Sequence, residues 1–186
     1  MQDTSPGNET PITMHQQFLQ NLESHANYPA MAVKRGSPRE WLFWTYTDYY
    51  NDAMNFARAM VALGIPKRQC INIIGFNSPE WVIAFVGATF ADCVPVGIYT
   101  TSGLDSCKYL AQHSASELVV SQNEKHAIKF IDFWEEAPHI RAIVIFEPSE
   151  DFETFRKGRE NIYTYDEFMA LGTQEYQQEV QERTDR

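Results

Sequence analysis

Residues 70–99, CINIIGFNSPEWVIAFVGATFADCVPVGIY, decide the fold. They open with CINIIGF, a short apolar run rich in β-branched residues, typical of a strand covered on both faces. Asn77-Ser78-Pro79-Glu80 then turns the chain into a helix. Ser78 can cap it, Pro79 suits its first position, and Glu80 favours the positive helix start. The run from Trp81 to Val94 is apolar all round, which predicts a helix buried on most sides. It falls short of the roughly 20 apolar residues a bilayer span needs, carries Asp92 and meets Pro95, so no membrane span is expected. Residues 94–99 follow as a second strand. Strand, helix and strand in this order form a βαβ unit with parallel strands.

The pattern continues outward. Downstream, helices are expected over 105–113 and 124–136 and strands over 117–121 and 141–146. A short β-like piece at Ile162-Tyr163 follows. Thr164 can cap a helix that carries Phe168, Met169 and Leu171 and stops at Gly172. Upstream, Thr47 and Asp48 are expected to open a helix bearing Tyr50, Ala53, Met54, Ala57, Met60 and Val61, ended by Gly64 and Pro66. Before it, residues 30–34 and 40–46 read as a hairpin around Arg35-Gly36-Ser37-Pro38. A short amphipathic helix begins at Thr13, with Phe18, Leu19 and Leu22 on its apolar side. The expected class is α/β, a mostly parallel sheet with helices on both faces. Residues 1–11 are expected to be disordered and 12–172 to form the folded part. Residues 173–186 read as a polar, weakly helical tail with little to bury, as at an end cut from something larger.

At 186 residues, with 44% apolar and 22% charged residues, the chain suits one soluble globular domain. A net charge of −10 argues against nucleic acid and against an anionic membrane surface. Glu135, Glu136, Glu147, Glu150, Asp151 and Glu153 crowd one region and read as a solvated face. Cys70, Cys93 and Cys107 lack the spacing of a zinc knuckle or redox motif and read as buried free thiols in a reducing compartment. His15, His25, His113, His126 and His139 make no cluster, so no metal is expected. The first residues lack the basic start and apolar core of a signal peptide. Trp41, Trp44, Tyr46, Tyr49 and Tyr50 could form a binding platform, but core and interface packing is the expectation.

Residues 99–108, YTTSGLDSCK, hold the ingredients of a phosphate loop: hydroxyls, a glycine and a lysine. Such a loop needs several glycines so that consecutive N–H groups converge on the anion. Here there is one glycine, Asp105 adds a negative charge, and Lys108 sits on the helix facing solvent. Ser102 followed by Asp105 fits a helix cap better. A weak anion site at that helix start, and the crevice at the sheet edge, stay open as ligand positions. Gly75, Gly87 and Gly97 do not assemble into a dinucleotide fingerprint. Ser78, Ser102 and Ser121 lie in no nucleophile elbow, and adjacent Glu135 and Glu136 do not face each other. No residue is assigned as catalytic, cofactor-binding or metal-ligating.

Three phrases carry a resemblance. They are WTYTDYYNDAMNFARAMVALGI (44–65), INIIGFNSPEWVIAFVGATFADCVPVGIYTT (71–101) and YTYDEFMALG (163–172). Together they resemble the N-terminal region of adenylate-forming, AMP-binding long-chain fatty acyl-CoA synthetases of the bubblegum type. The family's G-F-N-S-P-E-W stands as Gly75 to Trp81 and its G-I-Y-T-T as Gly97 to Thr101. Asp92-Cys93 departs from the small residues usual there. The resemblance covers about residues 11–172 and makes the folded part an incomplete AMP-binding subdomain. It implies ATP-dependent activation of a fatty acid through an acyl-adenylate to acyl-CoA, with ATP, Mg and CoA serving the full-length enzyme. It also implies a cytoplasmic location, with peripheral attachment to the endoplasmic reticulum open. The family's phosphate loop Y-T-S-G-T-T-G-x-P-K-G, its adenine pocket, its ribose-binding aspartate and its C-terminal lysine have no counterpart here. This chain alone is therefore expected to be inactive. Two alternatives remain: a flavodoxin-like module holding a nucleotide or flavin at its sheet crevice, and a non-catalytic protein that associates with a full-length synthetase.

Overall fold

In the computed structural model, residue 7 and residues 10–184 are described, and the chain divides into two units, Met1–Tyr50 and Asn51–Arg186. The expected disorder of residues 1–11 falls largely outside the described residues. In the first unit, α1 (Met14–His25) starts from a reciprocal cap. Thr13 Oγ1 accepts from Gln16 N at 3.1 Å, and Gln16 Oε1 accepts from Thr13 N at 2.8 Å. The Phe18 ring packs edge-on against Tyr49 at 4.9 Å and lies 5.8 Å from Tyr50. Burial pushes the Tyr49 phenol up to about 12. β1 (Pro29–Arg35) and β2 (Glu40–Thr45) pair antiparallel as the hairpin, with Lys34 opposite Trp41 and Ala32 opposite Phe43.

α2 (Tyr46–Ala62) begins earlier than the sequence suggests. Thr45, not Thr47, supplies the cap: Asp48 N donates to Thr45 Oγ1 at 3.1 Å and Thr45 N donates to Asp48 Oδ2 at 2.9 Å. The Thr45 bonds hold the Asp48 carboxyl below its ordinary value. Gly64 ends this region in the left-handed conformation at φ 71°.

The second unit is built on five parallel strands: β3 (Cys70–Ile74), β4 (Val94–Ile98), β5 (Leu118–Ser121), β6 (Ala142–Ile145) and β7 (Ile162–Thr164). Their spatial order is β4-β3-β5-β6-β7, or 2-1-3-4-5 counted along the chain within the sheet. That is one of the doubly wound orders. Between strands run α3 (Pro79–Phe90), α4 (Leu104–Ser114), α5 (Glu124–Ile131) and α6 (Phe152–Arg156). After β7 come α7 (Tyr165–Ala170) and α8 (Gln177–Thr184). Every residue of β5 and β6 is buried, which explains why those strands read as apolar apart from Ser121 at the end of β5. One face of the sheet joins Ile74, Val119, Ile143 and Ile145 to Cys107, Phe130 and Phe152 in a single core. α3 and α7 contact the sheet as well, and Phe56 of α2 meets Phe168 of α7 at 4.9 Å between ring centres.

Most helix starts match the sequence reading. Trp81 N donates to Ser78 Oγ at 3.2 Å, with Pro79 at the first position. At α7, Glu167 N donates to Thr164 Oγ1 at 3.1 Å while Thr164 N donates to Glu167 Oε2 at 2.8 Å. Glu167 is also clasped by Arg156 Nη1 at 2.8 Å. Thr164→Ala removes one side of this double cap and is expected to cost about 1 kcal/mol, read as a shift in urea midpoint at constant slope.

Three differences have local causes. The helix expected over 124–136 ends at Ile131. Asp132 caps it, and Trp134–Glu136 continues as a separate 3-10 turn. α6, five residues long, has too few turns to show a period in sequence. Asp92, the departure from small residues, sits at φ 55°, a left-handed geometry that Asp tolerates better than branched side chains. It turns the chain from α3 into β4.

The segment after Gly172 is packed rather than idle. Val180 is fully buried, and Arg183 Nη1 donates to the carbonyls of Ile65 and Ala91, each at 3.1 Å. Arg58 donates to Gly172 O at 2.9 Å and Gln177 Oε1 at 2.8 Å, and Asn55 Nδ2 donates to Met169 O at 2.9 Å. A polar composition concealed this contact, because the segment is held mainly by hydrogen bonds to α2 and to the end of α3.

Candidate functional site

In a doubly wound sheet the usual ligand position is the crevice at the carboxyl ends of the strands where strand order reverses, here between β3 and β5. That crevice is filled. Phe76 N donates to Gln122 Oε1 at 3.1 Å, and Gln122 Nε2 donates to Glu147 Oε2 at 2.7 Å, so one side chain ties together the ends of β3 and β6. A Cβ on Gly75 would lie 2.7 Å from Phe146 Cζ and 2.9 Å from Gln122 Cβ. The glycine is what lets these two side chains close the gap.

The open space lies one strand over. A cavity of about 570 Å³ sits at the carboxyl ends of β3 and β4, lined by Phe76, Asn77, Trp81, Tyr99 and Thr100 above Gly97 and Ile98. Each wall follows from the local fold. Phe76 and Asn77 leave β3, Tyr99 and Thr100 leave β4, and Trp81 belongs to the first turn of α3. Trp81 lies over Gly97, where a Cβ would touch its ring at 3.4 Å, and stacks on Phe85 at 5.7 Å and 12°. Phe76 is 68% exposed and Tyr99 84% exposed. No lining residue is charged. Such a wall suits an uncharged, flat or apolar group with a few hydrogen bonds to Asn77 and Thr100. It does not fit a triphosphate, which calls for cations or converging N–H groups.

The stretch 99–108 borders this cavity and is a strand-to-helix turn. Gly103, not Ser102, stands at the helix cap, and no side chain bonds the helix start. Ser102 is drawn into the turn instead: its N–H donates to Tyr99 O at 2.9 Å, and its carbonyl accepts from Lys129 Nζ at 2.7 Å. Lys129 also reaches Thr100 O at 3.3 Å. The ammonium that faces this loop thus fixes backbone carbonyls rather than waiting for an anion. Lys108 lies at the solvent-facing surface of α4, where it pairs with Glu136 at 2.6 Å.

Other sequence candidates are scattered. Cys93 and Cys107 are buried and Cys70 half-buried, all three unpaired as thiols. Burial pushes the Cys93 thiol up to about 11 and raises that of Cys107, so neither is an activated nucleophile. Burial first, then Lys129 and Lys125, holds the His126 imidazole below its ordinary value. Among the described residues no group of three His, Cys, Asp or Glu converges as metal ligands, and no helix is long and apolar enough to cross a membrane. The cavity residues were not picked out from sequence. The available signal was the rule that ligands gather at strand carboxyl ends, applied to the aromatics that immediately follow β3 and β4.

A family model described as "AMP-binding enzyme" matches residues 18–183. The chain belongs to the AMP-binding enzyme family. Among curated relatives, it is 34% identical to the long-chain-fatty-acid–CoA ligase ACSBG2 of Xenopus laevis over 92% of this chain and 22% of that protein. It is also 34% identical to the ligase ACSBG1 of Rattus norvegicus, over 88% of this chain and 22% of that one. This AMP-binding segment therefore spans about a fifth of the length of the relatives it matches. The adenylation domain of a carboxylate reductase from Mycobacterium chelonae has the same fold, with a TM-score of 0.74 at 17% identity. The match covers 89% of this chain and 30% of that one. The expected α/β architecture of the adenylate-forming enzymes is thus borne out, as is the resemblance in sequence.

Proposed function

We propose that this chain is the N-terminal part of a long-chain fatty acid–CoA ligase and does not form acyl-adenylate by itself. The observation that carries the reading is the family match over nearly the whole chain to relatives about four times its length. The missing chemistry supports it: no phosphate-loop motif occurs in the sequence, and the cavity at the ends of β3 and β4 presents no charge to a phosphate. In the complete ligase, the fatty acid carboxylate attacks the α-phosphate of ATP and expels pyrophosphate to give acyl-adenylate, and the CoA thiol then attacks the acyl carbon and displaces AMP to give acyl-CoA. The part played by this chain is scaffolding. It supplies the sheet and an uncharged aromatic wall, Phe76, Trp81 and Tyr99, to a site completed by downstream polypeptide.

The test is ATP–pyrophosphate exchange with palmitate. The purified 186-residue protein is expected to give no exchange above background, and exchange by it would overturn the inactive reading. Extending the chain through a phosphate loop and a C-terminal domain from a relative is expected to restore exchange. Failure of the extended protein with palmitate, alongside activity with another carboxylate, would overturn the fatty acid assignment.

A further inference from the structure

The hairpin of the first unit carries a surface unlike the rest of the chain. Lys34 is paired with Trp41 and Ala32 with Phe43, so these four side chains share one face, and all four are exposed. Trp41 is 55% and Phe43 64% exposed, with their rings 6.2 Å apart, and Lys34 Nζ sits 4.9 Å over the Trp41 ring. Core or interface packing was the expectation for Trp41, and its strand turns it outward, away from the core. Leu42, on the opposite face, is also exposed. The charge here is equally unusual. Within residues 1–50, the Lys and Arg residues are Lys34, Arg35 and Arg39, all in the hairpin or its turn, and Glu40 is the one acid between residues 24 and 47. The chain as a whole carries −10.

We propose that this hairpin docks on a phospholipid bilayer that contains anionic lipid. Trp41 and Phe43 enter the headgroup level, where amphipathic and aromatic rings partition favourably. Lys34 and Arg39 face the lipid phosphates, and Arg35 adds to the positive potential. The net charge of −10 disfavours an anionic surface for the molecule at large, which makes the basic hairpin the face that approaches. Charge complementarity thus selects both the occupant and the orientation. The inference does not depend on the ligase reading.

The experiment is sedimentation of the 186-residue protein with vesicles of phosphatidylcholine, with and without phosphatidylserine. Binding is expected with phosphatidylserine and is expected to weaken as salt rises. Lys34→Glu with Arg39→Glu is expected to weaken it by about tenfold or more, since each cation near such a surface contributes about fivefold. Trp41→Ser with Phe43→Ser is expected to lower binding even at low salt, with unchanged circular dichroism because both rings are already exposed. Brominated lipid is expected to quench wild-type tryptophan fluorescence, and Trp41→Phe to remove most of that quenching. Absence of vesicle binding, or binding indifferent to the Trp41/Phe43 pair, overturns the proposal. So does a dimer in sedimentation velocity that the same pair of substitutions abolishes, because the patch then belongs to a second copy.

Discussion

Gly87→Val is expected to destabilise the second unit by about 3 kcal/mol or more, with a loss of about 6–12 °C in Tm. Gly87 lies in the middle of α3, where glycine is ordinarily a liability of roughly 1 kcal/mol relative to alanine. Its presence is explained by what faces it. A Cβ there would stand 2.7 Å from Phe56 Cβ and 2.8 Å from Ala53 O, both closer than side-chain carbons approach such atoms. One obstacle is backbone and the other is the root of a side chain, so neither moves without moving α2. Phe56 is itself fully buried, its ring tilted against those of Phe168 and Tyr165 of α7 at 4.9 and 6.3 Å. A shift of α2 therefore disturbs α7 as well. Gly97→Ala is the matching control, because its new Cβ would make an ordinary 3.4 Å contact with Trp81. Thermal unfolding of the two variants side by side separates close helix packing from a general intolerance of replaced glycines. Equal Tm values would refute the argument.

The same distinction marks what the sequence reveals. β3, β5 and β6 are legible because a strand buried on both faces leaves a mostly apolar run, unbroken in Ala142-Ile143-Val144-Ile145 and interrupted in β3 by the buried Asn72. The start of α3 is legible because Ser78, Pro79 and Glu80 each satisfy a separate requirement of a helix start. α4 is placed correctly but its cap is not. Ser102 and Gly103 are both acceptable caps by residue type, and the choice between them is made by Lys129, 27 residues away, which pulls the Ser102 carbonyl into the turn. The cavity is less legible still. Phe76 and Tyr99 are ordinary aromatics until β3 and β4 are known to be neighbours, and the usual crevice is known to be plugged by Gln122. Long-range pairing of this kind leaves no local signature. The family phrases do register in sequence, yet they mark the scaffold and carry no reacting group.

The C-terminal segment is where a contact of little apparent value is expected to matter most. Arg183→Ala should cost about 3 kcal/mol, whereas Glu179→Gln should cost about 0.5 kcal/mol or less. The two residues form an ion pair at 2.6 Å, but their surroundings differ. Glu179 is half exposed, so water replaces what it loses, and an i,i+4 pair on a wet helix contributes little. Arg183 has a side chain 5% exposed and spans two carbonyls, Ile65 O in the turn before Pro66 and Ala91 O at the C-terminal cap of α3. Removing the guanidinium leaves both carbonyls short of a donor in a place closed to water, and takes a positive charge from the negative end of α3. Arg183→Lys keeps the charge but has one nitrogen to replace Nη1 on the two carbonyls and Nη2 on Glu179, so it should recover only part of the loss. Urea unfolding of the three variants gives the order: Glu179→Gln near wild type, Arg183→Lys intermediate, Arg183→Ala lowest. If Glu179→Gln and Arg183→Ala proved equally mild, α8 would be a surface appendage and the carbonyl clamp would be wrong. If the order holds, a segment whose composition suggested a loose tail is what fastens the end of α3 to the turn after α2.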